Sequence, residues 1–270
     1  MPELSFEDIR LATAAGSPDK PSEDWANASS SLLVVLDGAT ARTETGCVHG
    51  VHWYAARLGT ALVDLAADPG MDLADVLRRA IARVAAEHPA CDLTHPGTPS
   101  AGVALLRADG RYLVLGDVTI AGIGADGPFA LVDPRVEQTA RPEREEVDRH
   151  LIGTPEKAAA LIPMKRAELA ARNVPGGYWI AAADPEAAEH ALTGHLDVNV
   201  SPVALLTDGA ARAVTLGLMN WSRLLYMAAA EGPDELIAAV RRAEASDPLG
   251  AKWPRNKTSD DATVVLAHRR

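Results

Sequence analysis

The chain of 270 residues is poor in aromatic side chains, which make up 4% of it, so alanine, valine and leucine must fill the interior. Cysteine is scarce: Cys47 and Cys91 are too few for a disulfide framework or a cysteine-rich zinc site. No apolar run, including 32–36, approaches the ~20 residues of a membrane helix. The opening MPELSFEDIR is acidic and lacks the apolar stretch of a secretory signal. Basic charge is in deficit, with 26 Lys and Arg against 37 Asp and Glu and a net charge of −11, which argues against a phosphate-backbone binder. A cytoplasmic protein that engages neither nucleic acid nor a membrane is expected. Low-complexity tracts, repeats and long linkers are also missing, so residues 1–270 read as a single domain. What is present, 47% hydrophobic and 23% charged residues, suits a globule with a sizeable core.

Hydrophobic period places the elements. LLVVLDG at 32–38 reads as a buried strand closed by a turn pair, and a helix follows from about 50 to 67. Over 72–88 the apolar positions Leu73, Val76, Leu77, Ala80, Ile81 and Val84 recur at helical spacing behind Asp72, a candidate N-cap. The period then shortens: VALLR (103–107), RYLVLGD (111–117), TIAGIG (119–124) and FALVD (129–133) predict an antiparallel meander, with hairpin turns at Asp109-Gly110 and Asp126-Gly127. From 141 to 196 the chain reads as a helical insertion. Thr154-Pro155 and Asp184-Pro185 start two helices, one interrupted by Pro163, around PGGYWIAAA (175–183), a candidate strand. After PVALLTDG (202–209) come helices at about 219–231 and 233–246, then a terminal strand in DDATVVLAHRR. Strands in meanders with helix pairs between them predict antiparallel sheets covered by helices, an α+β class.

Four strand-like runs end in an aspartate beside a turn, giving Asp37, Asp117, Asp208 and Asp260, and Glu23-Asp24 precedes the first of them. An isolated Asp-Gly is most simply a turn. Several carboxylates at adjacent strand ends can instead converge, and they then repel unless a cation or proton lies between them. Hard oxygen donors without cysteine point to Mg²⁺ or Mn²⁺. No Cys-x5-Arg, Gly-x-Ser-x-Gly or P-loop offers a covalent nucleophile or a nucleotide cradle.

SED (22–24), VVLDG (34–38), TPSAGVALL (98–106), YLVLGDVTIAGIG (112–124), LLTDG (205–209) and DDATVVL (260–266) occur in the order found in PP2C-type metal-dependent protein phosphatases, and the chain resembles a divergent bacterial member of that family. The resemblance spans 16–267 and implies a four-layer α-β-β-α sandwich of two antiparallel sheets flanked by helices. It further implies a site for two Mn²⁺ or Mg²⁺ ions and hydrolysis of a phosphomonoester by water activated between them. By position, Asp37 resembles the carboxylate that bridges both ions, Gly38 the residue that lends its carbonyl, and Asp208 and Asp260 the remaining ligands. Asp117 matches the position that helps hold a third, weaker ion. Glu23 and Asp24 match the acidic pair that contacts metal-bound water, and Asp261 stands where the family has Asn, as a second choice beside Asp260. The implied substrate is phosphoserine or phosphothreonine in a protein. A small phosphorylated metabolite is the alternative on the same scaffold, and a catalytically weak binding or regulatory module is the rival.

The departures from the family pattern fall on the groups that handle phosphate. The histidine that usually follows Asp-Gly is replaced by Ala39-Thr40-Ala41, which leaves His49 and His52 as candidates for the general acid. The family's phosphate-binding arginine falls on Asp19, so Lys20, one residue on, is the candidate, with Arg10 and Arg42 as alternatives. KWPRNK (252–257), just before Asp260, adds Arg255 and Lys257 as a candidate phosphate-recognition loop, although an exposed basic loop is the simpler reading. Cys47, His49 and His52 also form a Cys-x-His-x-x-His pattern. Zinc needs a fourth ligand that the local sequence does not offer, and His52 opens an apolar helix, so these residues are expected to line the cleft or cap that helix.

Overall fold

The computed structural model describes residues 4–270. Two five-stranded sheets, antiparallel throughout, stack face to face. The first has the order β1 (Phe6–Ala14), β10 (Ala262–Arg269), β9 (Val203–Leu206), β6 (Thr119–Gly124), β7 (Gly127–Val132). The second runs β2 (Trp25–Ala28), β3 (Leu32–Gly38), β4 (Ala101–Arg107), β5 (Arg111–Leu115), β8 (Leu192–His195). Helices α1 (Gly50–Ala66) and α2 (Leu73–Ala85) cover the second sheet, and α6 (Asp208–Thr215), α7 (Trp221–Ala230) and α8 (Pro233–Ser246) cover the first. This is the four-layer α-β-β-α sandwich expected from the sequence.

The layers follow from alternation along strands whose two faces are both buried. In β3, Leu32, Val34 and Leu36 face α1 and α2, while Leu33 and Val35 face the other sheet. In β10, Val264 and Leu266 face α7 and α8, while Val265 and Ala267 enter the space between the sheets. Strands apolar on both faces read in sequence as unbroken hydrophobic runs, and this is why they were legible. Helix α2 starts where expected: Asp72 accepts a hydrogen bond from the Ala74 amide at 2.8 Å, capping a stripe of Leu73, Val76, Leu77, Ala80, Ile81 and Val84 that is fully buried.

Four expectations need correction. The meander is not continuous, because β4 and β5 pair in one sheet and β6 and β7 in the other, so the chain crosses between sheets at Gly116-Asp117. The segment at 175–183 is not a strand; it makes single bridges at Ala101–Ala181 and Arg172–Tyr178. The pairing edge is taken instead by β8, in a region read as helical, and its four residues are all exposed. Finally, Pro163 does not interrupt α5 (Pro155–Ala170), which runs through it behind the Thr154 cap, where the Lys157 amide donates to the threonine hydroxyl at 3.2 Å. Residues 141–196 otherwise hold α4 (Arg141–Asp148) and a short 3₁₀ turn at Pro185–His190 behind Asp184. The strands β1 and β2 were not read from sequence, and the four-residue helix α3 (Arg135–Gln138) completes the set.

Candidate active site

The Asp-Gly pairs divide into two kinds. Gly110 and Gly127 have φ of +103° and +104°, which only the turn conformation requires, and each closes a hairpin. Gly38 and Gly209 have no such φ and are glycine because other backbone lies against them. A Cβ on Gly38 would come within 2.3 Å of the Glu23 carbonyl oxygen, and one on Gly209 within 1.9 Å of the Asp261 carbonyl oxygen. The first contact seats the end of β3 against the segment that enters β2, and the second seats the end of β9 against the start of β10.

Asp37, Asp117, Asp208 and Asp260 consequently line one cleft of about 390 Å³, at the end of the sandwich where the chain crosses between sheets. The Asp208 amide donates to Asp37 Oδ2 at 2.9 Å, which ties the N-terminus of α6 to the end of β3. Burial raises Asp37's pKa well above the usual carboxylate value, and the charges of Asp208, Asp24, Asp117 and Asp260 add to it. Asp208 is pushed up to about 7 by burial and then by Asp260 and Asp117. Asp117 is raised by burial too, with Arg144 opposing the shift. Repulsion of this kind is relieved by protonation or by a bound cation.

Asp260 sits in a different field. Its Oδ2 accepts from Arg212 at 2.7 Å and its Oδ1 contacts the Lys257 ammonium. Arg212 is held in turn by Glu244, which is fully buried, at 2.6 Å. Arg241 pairs with the other Glu244 oxygen at 2.9 Å and donates to the Asp260 carbonyl. Among the described residues, ion pairs in the cleft reach Asp260 but none of Asp37, Asp117 or Asp208. The last three are hard oxygen donors without a direct ion-pair partner and suit Mn²⁺ or Mg²⁺. Asp260 could join them as a ligand only as Arg212 or Lys257 withdraws. Arg212 carries no local signal in the sequence, because its partners Glu244 and Asp260 are distant along the chain.

The flanking acids take supporting positions. Asp24 is buried, receives the Thr207 hydroxyl on Oδ2 at 2.9 Å, and leaves Oδ1 without a partner. Burial lifts it to about 8, against the hydrogen bonds of Thr263 and Thr207. Glu23 Oε2 accepts from Thr40 at 2.6 Å, and Thr40 accepts from Lys257 at 3.0 Å, so Glu23 reaches the cleft through a hydroxyl. Asp261 uses both oxygens on backbone amides, Gly16 and Glu23, each at 2.7 Å. It pins the β1–β2 loop.

The basic and histidine candidates are redistributed. Arg255 is buried, and its guanidinium is committed to Asp247 and to the carbonyls of Glu244, Asp247, Trp253 and Thr258; it clasps its own loop and has no donor left for phosphate. Lys20 is exposed and lines a neighbouring cleft that meets the first at Thr40 and Lys257. Arg10 pairs with Asp8 at 2.8 Å and donates to Ala229, away from both. Lys257 stays in the carboxylate cleft; burial disfavours its charge, but Asp260, Asp208 and Asp37 outweigh that and raise its pKa. Arg42, exposed, stands on the rim. Arg144 and Lys165, both paired with Glu168, form a further basic wall from α4 and α5 that the sequence did not reveal. Neither His49 nor His52 lines the carboxylate cleft. Both belong to the neighbouring one, where His52 Nδ1 donates to the Ser22 carbonyl at 2.6 Å.

The architecture is that of the PP2C-type serine/threonine phosphatases. No protein-family model matches the sequence, and no curated protein does. Solved structures match over nearly the whole chain. The catalytic domain of the serine/threonine phosphatase PstP in complex with two manganese ions is 18% identical, with a TM-score of 0.60 and 99% of each chain covered. PstP/Ppp of Mycobacterium tuberculosis is 17% identical, with a TM-score of 0.60 and 98% of each chain covered. The PPM Ser-Thr phosphatase MsPP of Mycobacterium smegmatis, in complex with cacodylate, is 18% identical with a TM-score of 0.56, covering 97% of this chain and 98% of that one. At these identities the likeness establishes the fold.

Proposed function

We propose that this chain is a divergent PP2C-type, metal-dependent phosphomonoester hydrolase acting on phosphoserine or phosphothreonine in proteins. The observation that carries the reading is the meeting of Asp37, Asp117 and Asp208, without ion-pair partners, at the end of a fold whose solved example PstP holds two manganese ions. Asp37, Asp117 and Asp208, with Gly38 beside them, are the residues that would hold Mn²⁺ or Mg²⁺, and Asp260 would join them for a second ion where Arg212 or Lys257 gives way. A divalent ion there supplies charge for the phosphoryl oxygens and an activated water.

The chain's own groups supply the rest. Asp37 is held by the Asp208 amide, which orients its carboxylate in the cleft beside Asp208. Arg42 and Lys257 offer positive charge at the cleft for the phosphate, and the carboxylates around Lys257 keep it protonated in that role. Arg144 and Lys165, both paired with Glu168, form a further wall of the same cleft. The solved relatives of this fold are serine/threonine phosphatases, which supports a phosphoprotein substrate; a small phosphometabolite is the alternative.

A second reading has its own observation. Asp260 already carries two cations, so a chain that binds phosphorylated partners without turning them over is favoured to the extent that Arg212 and Lys257 hold their places. Hydrolysis of an aryl phosphate with and without Mn²⁺, in wild type and Asp208→Ala, separates the two. Metal-dependent turnover that the variant loses supports the enzyme, and no turnover with any divalent ion favours the binding module. A phosphopeptide panel set against a phosphometabolite panel then assigns the substrate.

A further inference from the structure

The carboxylate cleft leaves Cys47, His49, His88 and Cys91 unused, and the fold gathers all four. Cys47 and His49 lie on the loop that enters α1, His49 being the residue before its first turn; His88 and Cys91 lie just past the end of α2. His49 Nδ1 is 3.7 Å from Cys47 Sγ and 3.5 Å from Cys91 Sγ, and the two sulfurs are 3.5 Å apart. Donor atoms of Cys47, His49 and His88 all lie within 4.8 Å of one another.

The three separations among Cys47, His49 and Cys91 match one face of a metal tetrahedron, and His88, within 4.8 Å of Cys47 and His49, stands at the fourth corner and must close in on the ion. With Zn–S near 2.3 Å and Zn–N near 2.0–2.1 Å, a tetrahedral site requires S···S of about 3.8 Å and S···N of about 3.6 Å. A disulfide would require sulfurs at about 2.05 Å, and both cysteines are free thiols. His88 is oriented as zinc-binding histidines are: the Val84 carbonyl, 2.8 Å from Nδ1, can only accept, so Nδ1 carries the proton and the lone pair is on Nε2. His49 is held by stacking on Trp53 at 4.2 Å, and the Trp53 ring meets His88 edge to face at 4.8 Å. His88 is buried, while Cys47, His49 and Cys91 are half-exposed, which leaves an entry path.

We propose that Cys47, His49, His88 and Cys91 form a structural zinc site that staples the start of α1 to the end of α2. The pattern is Cys-x-His followed by His-x-x-Cys, and His52, the histidine nearest in sequence, takes no part because it is turned to Ser22. The loop that the site anchors, 39–49, carries Thr40 and Arg42 into the carboxylate cleft, so the zinc would hold one wall of that cleft in place. Soft thiolate and imidazole donors select zinc over the Mn²⁺ or Mg²⁺ suited to the aspartates, so the two sites discriminate by ligand chemistry. The inference does not depend on the phosphatase reading.

The test is metal content of the reduced full chain after gel filtration, with Co²⁺ substitution as a spectroscopic check. One zinc per chain is expected in wild type and in Asp208→Ala. A Cys91→Ser variant should lose it, with affinity down at least a hundredfold, and His88→Gln should weaken it. Co²⁺ added to the zinc-free wild type should give intense tetrahedral ligand-field bands and thiolate-to-cobalt charge transfer, a readout that does not depend on a variant folding. Zinc at background in reduced wild type, a weak octahedral Co²⁺ spectrum, or a Cys91→Ser variant that binds zinc as tightly as wild type would each overturn the proposal.

Discussion

The two halves of the carboxylate cleft are built from the same residue type and behave oppositely. On one side Asp37, Asp117 and Asp208 crowd together with raised pKa values and no ion pair. On the other, Asp260 is embraced by Arg212 and Lys257, with Glu244 and Arg241 behind. All four aspartates are half-buried, and what sets Asp260 apart is its two cationic partners. A carboxylate held by two cations serves the scaffold, and one without an ion pair is the donor that the proposed function assigns to a cation. The contrast teaches that a count of converging aspartates overstates the donors available to metal, since one of the four is already engaged.

The largest effect should come from breaking the compensated half. Glu244→Ala strands Arg212 and Arg241 beside a buried hole, and breaking a buried pair in this way costs about 3–5 kcal/mol. A Tm lower by roughly 10 °C in calorimetry is expected, and a change near zero would show that the network contributes nothing. The uncompensated half should reveal itself through pH. Asp24 and Asp208 have folded-state pKa values of about 8 and about 7, above their unfolded values, so their protonated forms favour the fold. That stability is fully present below the unfolded carboxylate pKa and is lost as pH rises through about 7 to 8. In divalent-free buffer the Tm should therefore fall from pH 6 to pH 8.5, and Asp208→Asn should flatten the decline; a Tm that climbs over this range refutes the charge assignment.

Smaller changes sharpen the boundary between the halves. Lys257→Met frees one oxygen of Asp260 and should tighten Mn²⁺ binding about three- to fivefold, in keeping with the modest worth of a partly exposed ion pair. Weaker binding would mean that Lys257 orders the site. Arg42→Ala should raise KM for a phosphopeptide two- to threefold and leave kcat nearly unchanged, because Arg42 stands on the rim and not among the aspartates.

Much of this arrangement was written locally. The central strands β3, β4, β9 and β10 announce themselves because both of their faces are apolar, and the aspartates at their ends come in a readable order. The edge strands β2 and β8 escaped because four half-exposed or exposed residues carry no period. The compensation of Asp260 was hidden because Glu244 and Asp260 lie 32 and 48 residues from Arg212 and meet it only after α8 folds over the first sheet. The thiol-imidazole cluster was half visible: Cys47 and His49 stood out, but the local partner His52 was the wrong one. The two partners that count, His88 and Cys91, are delivered by the antiparallel pairing of α1 with α2. Spacing within a segment is legible in one dimension; charge balance between segments is a property of the packed molecule.

The central claim, that Asp37, Asp117 and Asp208 are the cation-binding half of the cleft, is tested most directly by calorimetric titration of Mn²⁺ into the purified full chain, in wild type and in Asp37→Asn. Saturable binding of at least one Mn²⁺ per chain that Asp37→Asn abolishes is the predicted result. Absence of Mn²⁺ binding in wild type, or binding that Asp37→Asn leaves intact, would contradict it.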